Sequence, residues 1–219
     1  VPAIPGAEYS NIYLVDKPGA PQSQIRIGHP GLNRDNPDYA AVQVMNEILG
    51  GSFSSRINMN LREDKGYTYG ARSFFVYRKG VGPFIAYAGV KTSTTDSSVI
   101  EFLKEIRGIV ETPVSDDELE TAKSSMTLSL ARETETLDQI LGLQVEQVVY
   151  DLPDDHLNEY VNKVRNVTKE EVQRVAEKYL HLENMAIVIV GDIDAIKPGL
   201  MTLDYGEVIE LDASGEPVK

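Results

Sequence analysis

The sequence predicts an α+β fold in which a mainly antiparallel sheet carries helices packed on one face. Two observations predict it. Short strand patterns occur in pairs in the first half of the chain, and runs of helical periodicity separate them from a last strand. No repeat, low-complexity segment or linker interrupts the 219 residues, so we predict one domain spanning residues 1–219.

Alternating apolar residues bounded by turn residues predict the strands. The predicted strands cover residues 11–17, 24–29, 67–79, 83–90, 185–190 and 207–211. Only four residues or so separate the third and fourth strands, which predicts an antiparallel hairpin.

Capping residues and apolar periodicity predict the helices. Asn36 is a favourable N-cap for a helix that ends at Gly50-Gly51. Ser54 is the predicted cap of a second, shorter helix, which Gly66 ends. Later helices are predicted over residues 99–110, after the capping boxes Ser115/Glu118 and Thr168/Glu171, over residues 137–150, and from a start near residues 154–156.

Composition excludes several classes of function. The net charge of −13 argues against nucleic-acid binding and against anionic membrane surfaces. No apolar run approaches the roughly 18 residues of a membrane span. The absence of cysteine excludes disulfides, thiolate zinc sites and a cysteine nucleophile, and leaves the compartment undecided between periplasmic or exported and cytoplasmic.

Residues 61–75, LREDKGYTYGARSFF, contain the candidate site. Between Gly50 and Gly80 the sequence has six basic and two acidic residues, a local charge of +4 within an acidic chain. Arg62, near a helix end, and Tyr69, near a strand start, can converge across the reversal at Gly66. Together they could hold a peptide carbonyl or an oxyanion. On these residues alone, the preferred interpretation is structural: an arginine favouring the helix dipole and a packed strand tyrosine.

No catalytic motif is complete in the sequence. Its three histidines, His29, His156 and His181, have no metal-ligand spacing, so no metal site is predicted. The chain also lacks the G-x-S-x-G sequence of a nucleophilic serine and the Gly-Lys-Ser/Thr ending of a phosphate loop.

The stretch NEILGGSFSSRINMNLREDKGYTYGARSFF, residues 46–75, resembles a signature of the insulinase/pitrilysin family of zinc metallopeptidases, which includes the mitochondrial processing peptidase. The signature belongs to the second, non-zinc half of family members. The matching residues are Leu49-Gly50-Gly51, Ser54-Ser55-Arg56, Leu61-Arg62-Glu63, Gly66 and Tyr69. Val190-Gly191-Asp192 and the order of elements also resemble the family.

The resemblance implies a substrate-binding role for Arg62 and Tyr69. In the family, two similar halves face each other. One half carries zinc on an H-x-x-E-H motif, and the other supplies an arginine and a tyrosine near the scissile carbonyl. This sequence has no H-x-x-E-H, so no complete catalytic set and no cofactor are expected in this chain, and zinc is expected in a partner half.

Two functions therefore stay open. In the first, the chain is the substrate-binding half of a zinc peptidase and works with an H-x-x-E-H half, in the same polypeptide or in a separate subunit, on a peptide substrate. The chain alone is then expected to be inactive. In the second, the chain is a catalytically inactive family member that serves in an assembly. The intact Arg62/Tyr69 pair favours the first.

Overall fold

The structure of the chain, a computed structural model, describes residues 10–132 and 134–218. The predicted domain of residues 1–219 also includes positions 1–9, 133 and 219, which lie outside the described residues. Within the described part, six strands form one sheet. They are β1 (Ile12–Asp16), β2 (Gln22–Pro30), β3 (Thr68–Phe75), β4 (Pro83–Lys91), β5 (Ala186–Gly191) and β6 (Val208–Leu211).

The sheet is mainly antiparallel, as the sequence predicts. Its strand order is β3-β4-β2-β5-β1-β6, so β3 is an edge strand. The pairs β3/β4, β4/β2 and β2/β5 are antiparallel, whereas β5/β1 and β1/β6 are parallel. Parallel neighbours need long crossover connections, and the helices between β1 and β5 provide one.

Helices occupy most of the chain between β4 and β5. The helices of the described residues are α1 (Tyr39–Asn46), α2 (Arg56–Asn58), α3 (Thr95–Glu111), α4 (Asp116–Arg132), α5 (Leu137–Tyr150), α6 (His156–Asn166), α7 (Lys169–Tyr179) and α8 (Ile193–Leu200). A π-helical turn, Glu47–Gly51, continues α1, and a second, Met59–Asp64, continues α2.

The helices pack on one face of the sheet, which confirms the predicted architecture. Along β4 every second residue, from Phe84 to Val90, is buried in the core on the face that α3 contacts. The opposite face carries side chains that pack on one another. There the guanidinium carbon of Arg26 lies 4.7 Å from the centre of the Tyr87 ring, and Tyr87 packs against Phe74.

The predicted hairpin is present, but its connection is longer than expected. β3 ends at Phe75 rather than at residue 79, and residues 76–82 link it to β4. The physical reason lies in Tyr77, whose ring packs 4.5 Å from the ring of Tyr39 at the start of α1. The chain therefore turns away from β4 to cover the helix layer.

Both predicted capping boxes are confirmed. The Glu118 carboxylate accepts the Ser115 N–H at 2.8 Å, and the Ser115 hydroxyl accepts the Glu118 N–H at 3.2 Å. The same reciprocal pair joins Thr168 and Glu171 at the start of α7. Each box satisfies donors that a helix start leaves unpaired.

Two other predicted helix starts are corrected. α2 is preceded by Ser55 rather than Ser54, and the Ser55 hydroxyl donates to the carbonyl of Ser52 (2.7 Å) instead of capping the helix. Asn36 accepts the N–H of Asp38 at 2.9 Å, so it shapes the turn before α1, which begins three residues later. The sequence also did not predict α8.

No helix in the described ranges combines the length and the apolar character needed to cross a membrane.

Candidate substrate-binding site

The end of α1 rests directly on the edge strand β3. Gly50 makes this contact possible, since a methyl group on its Cα would lie 2.3 Å from Ser73 Oγ and 2.5 Å from Ser73 N. Beside it, the buried amide of Asn46 donates to the Ser73 carbonyl (3.0 Å) and accepts the Ser73 hydroxyl proton (2.8 Å). The glycine pair thus places the following loop at a fixed position on the strand.

The loop after the glycines is anchored from two sides. Arg72 on β3 donates to the carbonyl of Gly51 at 2.9 Å. At the far end of the loop, Arg56 forms a bidentate ion pair with Glu118 on α4, at 2.6 and 3.0 Å. The Arg56 guanidinium lowers the pKa of Glu118 to about 2. Between these anchors, Phe53 is left largely exposed.

Arg62 lies on the π-helical turn after α2, and its side chain is 37% exposed. The guanidinium carbon is 4.6 Å from the centre of the Phe53 ring, a cation–π contact. Its Nε is 3.4 Å from a carboxylate oxygen of the neighbouring Glu63. The aromatic ring fixes the plane of the guanidinium while part of the group still faces solvent.

The chain then reverses as the sequence predicts. Gly66 has φ +64°, a conformation that glycine adopts without strain. The Tyr67 N–H donates to the carbonyl of Leu61 (2.9 Å), and Lys91 Nζ donates to the carbonyl of Gly66 (3.0 Å). The residues before and after the turn are therefore held side by side.

Tyr69 lies on a β-bulge. Thr68 pairs with Val90 and Ala71 pairs with Ala88, so Tyr69 and Gly70 together face one residue of β4. The Thr68 hydroxyl holds the bulge, because it accepts the Gly70 N–H (3.1 Å) and donates to the carbonyl of the opposite Gly89 (2.7 Å).

The bulge changes the direction of the tyrosine side chain. In a regular strand Tyr69 would share the inward face of Ala71 and Ser73, which are buried. Instead it is 90% exposed. Bulges commonly re-aim a side chain in this way. Tyr69 is thus not a packed strand residue, which removes the structural explanation that the sequence alone favoured.

Arg62 and Tyr69 lie on opposite sides of the turn at Gly66, at the exposed edge of the sheet. No hydrogen bond or ring contact joins the two side chains within the described residues. The Tyr69 hydroxyl has no partner among these residues either. Both donors are presented to solvent rather than to each other.

The positive charge of the segment between Gly50 and Gly80 is partly neutralised inside the chain. Arg56 pairs with Glu118, and Lys65 lies 3.3 Å from a carboxylate oxygen of Glu101. The local charge therefore supports a ligand or partner less strongly than the sequence alone indicates. Arg62, whose Nε lies 3.4 Å from a Glu63 carboxylate oxygen, remains partly exposed.

The described residues do not provide a zinc site. They contain no group of three histidine, aspartate or glutamate side chains positioned to hold a metal ion. His29 is buried with Nδ1 2.8 Å from the carbonyl of Pro30, and His156 Nδ1 is 2.9 Å from that of Pro153. The side chains present therefore do not fit the zinc that the family resemblance associates with a partner half.

Sequence reasoning did not identify Phe53, Thr68 or Asn58, a buried residue of α2 whose amide donates to the Phe53 carbonyl (2.7 Å) and accepts the Ala71 N–H (3.1 Å). The sequence could have indicated Phe53, because it is an aromatic residue between serines directly after a glycine pair. Asn58 gave no signal, because its role depends on which backbone groups surround it.

Comparison with known proteins identifies the family of this chain. The profile described as "Peptidase M16 inactive domain" matches residues 2–126, which include the glycine pair, Arg62 and Tyr69. The chain belongs to this family, a non-catalytic domain of the M16 metallopeptidases, and the resemblance to insulinase-like peptidases is confirmed.

Individual relatives agree with this assignment. The chain is 24% identical over 184 residues to the uncharacterized zinc protease YmxG of Bacillus subtilis, covering 84% of this chain and 45% of that protein. It is 23% identical over 171 residues to the probable inactive metalloprotease YmfF of the same organism, covering 75% and 38%. The chain thus spans less than half the length of these relatives.

A solved structure shares the fold. The crystal structure of a peptidase M16 inactive domain from Pseudomonas fluorescens superposes with a TM-score of 0.78 at 27% identity. The match covers 88% of this chain and 47% of that one.

Proposed function

We propose that this chain is the substrate-binding half of a zinc metallopeptidase, with Arg62 and Tyr69 as hydrogen-bond donors to a peptide substrate. One observation carries the proposal: Tyr69 is turned outward by a β-bulge and its hydroxyl is left without a partner in the described residues. β-Bulges are over-represented next to active sites, where they re-aim a side chain.

The two donors complement a carbonyl oxygen that gains charge. A phenol hydroxyl donates one hydrogen bond, and a guanidinium offers several N–H groups in a fixed plane. Phe53 supports the guanidinium from one side and Glu63 lies near its Nε, which leaves the terminal N–H groups for the ligand. Donors held before the reaction stabilise the developing oxyanion more than the ground state.

The hydrolytic step belongs to a second half of the enzyme. The sequence has no H-x-x-E-H motif, and its described residues do not fit zinc. The relatives are more than twice as long as the stretch they share with this chain, which leaves room for such a half in them. We assign the zinc and the activated water to that half, and substrate binding across the cleft to this chain, treated as one domain.

Substitution of Tyr69 tests the proposal in the complete enzyme that carries the zinc half. Tyr69→Phe removes one hydroxyl, and because the side chain is 90% exposed, the free energy of unfolding should stay within about 0.5 kcal/mol. Turnover should fall about 10²- to 10³-fold, the usual effect of losing one oxyanion donor. Arg62→Ala should cause a loss of similar size.

Tyr67→Phe is the matched control. Tyr67 lies two residues earlier, is half-buried, and should change turnover little when its hydroxyl is removed. Normal turnover in a folded Tyr69→Phe enzyme would exclude the donor role. A loss of activity that only follows a loss of stability would show that Tyr69 is structural.

The second candidate function is that of a catalytically inactive assembly subunit. It is favoured by the relative named a probable inactive metalloprotease. Genomic context separates the two functions: an H-x-x-E-H sequence upstream in the same gene, or in its neighbour, supports the peptidase, and its absence from both supports the assembly subunit.

A further inference from the structure

Asn58 connects the two sides of the candidate site. It lies on α2 between Phe53 and Arg62, and its side chain is only 1% exposed. Its Nδ2 donates to the carbonyl of Phe53 at 2.7 Å. Its Oδ1 accepts the N–H of Ala71 at 3.1 Å. One buried amide thus bridges the loop before α2 and the edge strand.

The orientation of this amide is fixed by its partners. Phe53 presents a carbonyl, which only accepts, and Ala71 presents an N–H, which only donates. A flipped amide would face two unfavourable contacts. Because the group is buried, loss of either bond leaves a backbone group unsatisfied.

Each bond of Asn58 ends next to one of the two donors. The Phe53 ring lies against the Arg62 guanidinium at 4.6 Å, so fixing the Phe53 backbone fixes the support of Arg62. Ala71 is the first paired residue after the bulge that exposes Tyr69. The Asn58 side chain therefore links the support of Arg62 to the bulge of Tyr69 through two hydrogen bonds.

We propose that Asn58 is a positioning residue that sets the relative placement of Arg62 and Tyr69. It does not reach the substrate, and it acts through the Phe53 loop and the bulge. This inference rests on the proposed substrate-binding role of the two donors, and its test is designed so that the two ideas can fail separately.

Asn46 is a natural control. It is also a nearly buried asparagine, 7% exposed, and its amide also bridges a helix to β3 through two hydrogen bonds, in this case to Ser73. It bonds neither Phe53 nor the bulge. Asn58→Leu and Asn46→Leu each replace an amide by an apolar group of similar shape and leave two hydrogen-bonding partners unpaired, so they should lower stability by similar amounts.

The first measurement uses the chain alone and needs no activity. The Phe53 ring shields protons on the Arg62 guanidinium, so the Arg62 Nε–H resonance should be displaced by the ring current, and Phe53→Leu should remove the displacement. We expect Asn58→Leu to remove it as well, and Asn46→Leu to retain it. If Asn58→Leu fails to fold, Asn58→Ser, whose hydroxyl is too short to reach both partners, takes its place. An unchanged Arg62 resonance in the folded variant overturns the proposal.

The second measurement uses the complete enzyme with its zinc half. Asn58→Leu should lower kcat about 10- to 100-fold with little change in KM, the size of effect that a small misplacement of binding groups produces. In a Tyr69→Phe, Arg62→Ala background the same substitution should cause almost no further loss. A full, independent loss there overturns the positioning role. If Tyr69→Phe itself leaves turnover normal, the proposed function fails, while the Arg62 resonance still decides the role of Asn58.

Discussion

Gly50→Ala tests whether the glycine pair is a packing device rather than part of a ligand loop. The added methyl group would lie 2.3 Å from Ser73 Oγ, 2.5 Å from Ser73 N and 2.8 Å from Ser73 Cβ. Real methyl groups do not approach heavy atoms this closely, so the end of α1 must move off β3. That movement also breaks the two hydrogen bonds between Asn46 and Ser73.

The expected loss can be estimated from these contacts. Overpacking a well-packed site costs typically 1–3 kcal/mol, and each lost hydrogen bond costs about 1 kcal/mol. With two hydrogen bonds lost, we expect Gly50→Ala to lower the free energy of unfolding by about 3–5 kcal/mol. Ser73→Ala should not rescue it, because the backbone nitrogen and Cβ of Ser73 remain in contact range.

Substitutions of two other glycines serve as controls, and urea unfolding of the chain measures the stability of each variant. Gly51→Ala meets mainly the movable carboxylate of Glu47, at 2.8 Å, and should cost less than Gly50→Ala. Gly108→Ala, on α3, meets no atom within 4 Å and should stabilise by about 0.5–1 kcal/mol through helix propensity. Equal stability of Gly50→Ala and the wild type would refute the packing argument.

Three further predictions concern charge and metal. Arg56 lowers the pKa of Glu118 from 4.5 to about 2, so this pair stabilises the fold above pH 4.5 and its contribution is lost as pH falls towards 2. In Glu118→Gln, the fall in the free energy of unfolding between pH 4.5 and 2 should therefore be smaller by about 1 kcal/mol. Burial lowers the pKa of His29 below 6.5, so stability should fall as pH drops below about 6.5, a dependence that His156→Gln keeps and His29→Gln removes. The purified chain should bind no stoichiometric zinc and cleave no peptide when zinc is added; one tightly held zinc per chain, with chelator-sensitive turnover, would contradict this.

The sequence predicted the elements whose cause is local. Helix α5 has the predicted bounds, 137–150, and both capping boxes form, because apolar periodicity and caps depend on neighbouring residues. The end of β3 was predicted wrongly because Tyr77 packs on Tyr39, far away in sequence. The parallel pairing of β1 was not predicted for the same reason, since strand order depends on contacts between distant segments.

In the candidate site, too, the features with a local cause were predictable from the sequence and those that depend on distant contacts were not. Spacing was enough to predict the reversal at Gly66, whereas the role of Arg62 and Tyr69 was an expectation from the family resemblance and stays a prediction. Spacing was not enough to predict that Tyr69 is exposed, because regular alternation places it with the buried Ala71. The bulge that changes its direction depends on a threonine hydroxyl meeting a carbonyl on β4, a contact no local pattern contains.

The way in which polar groups are satisfied separates the supporting residues of the signature from Arg62 and Tyr69, the proposed substrate-binding residues. Ser55 donates to a loop carbonyl, Arg56 is held by Glu118, and Asn58 uses both ends of its amide within the chain. These bonds hold the loop and the strand in place. Tyr69 is the contrasting case, since its hydroxyl faces solvent without a partner in the described residues, and Arg62 is only partly engaged by Phe53 and Glu63. Rigidly supported donors that are exposed to solvent, in a sequence without an H-x-x-E-H motif, are the arrangement expected of the proposed substrate-binding half, which needs a second half for peptide hydrolysis.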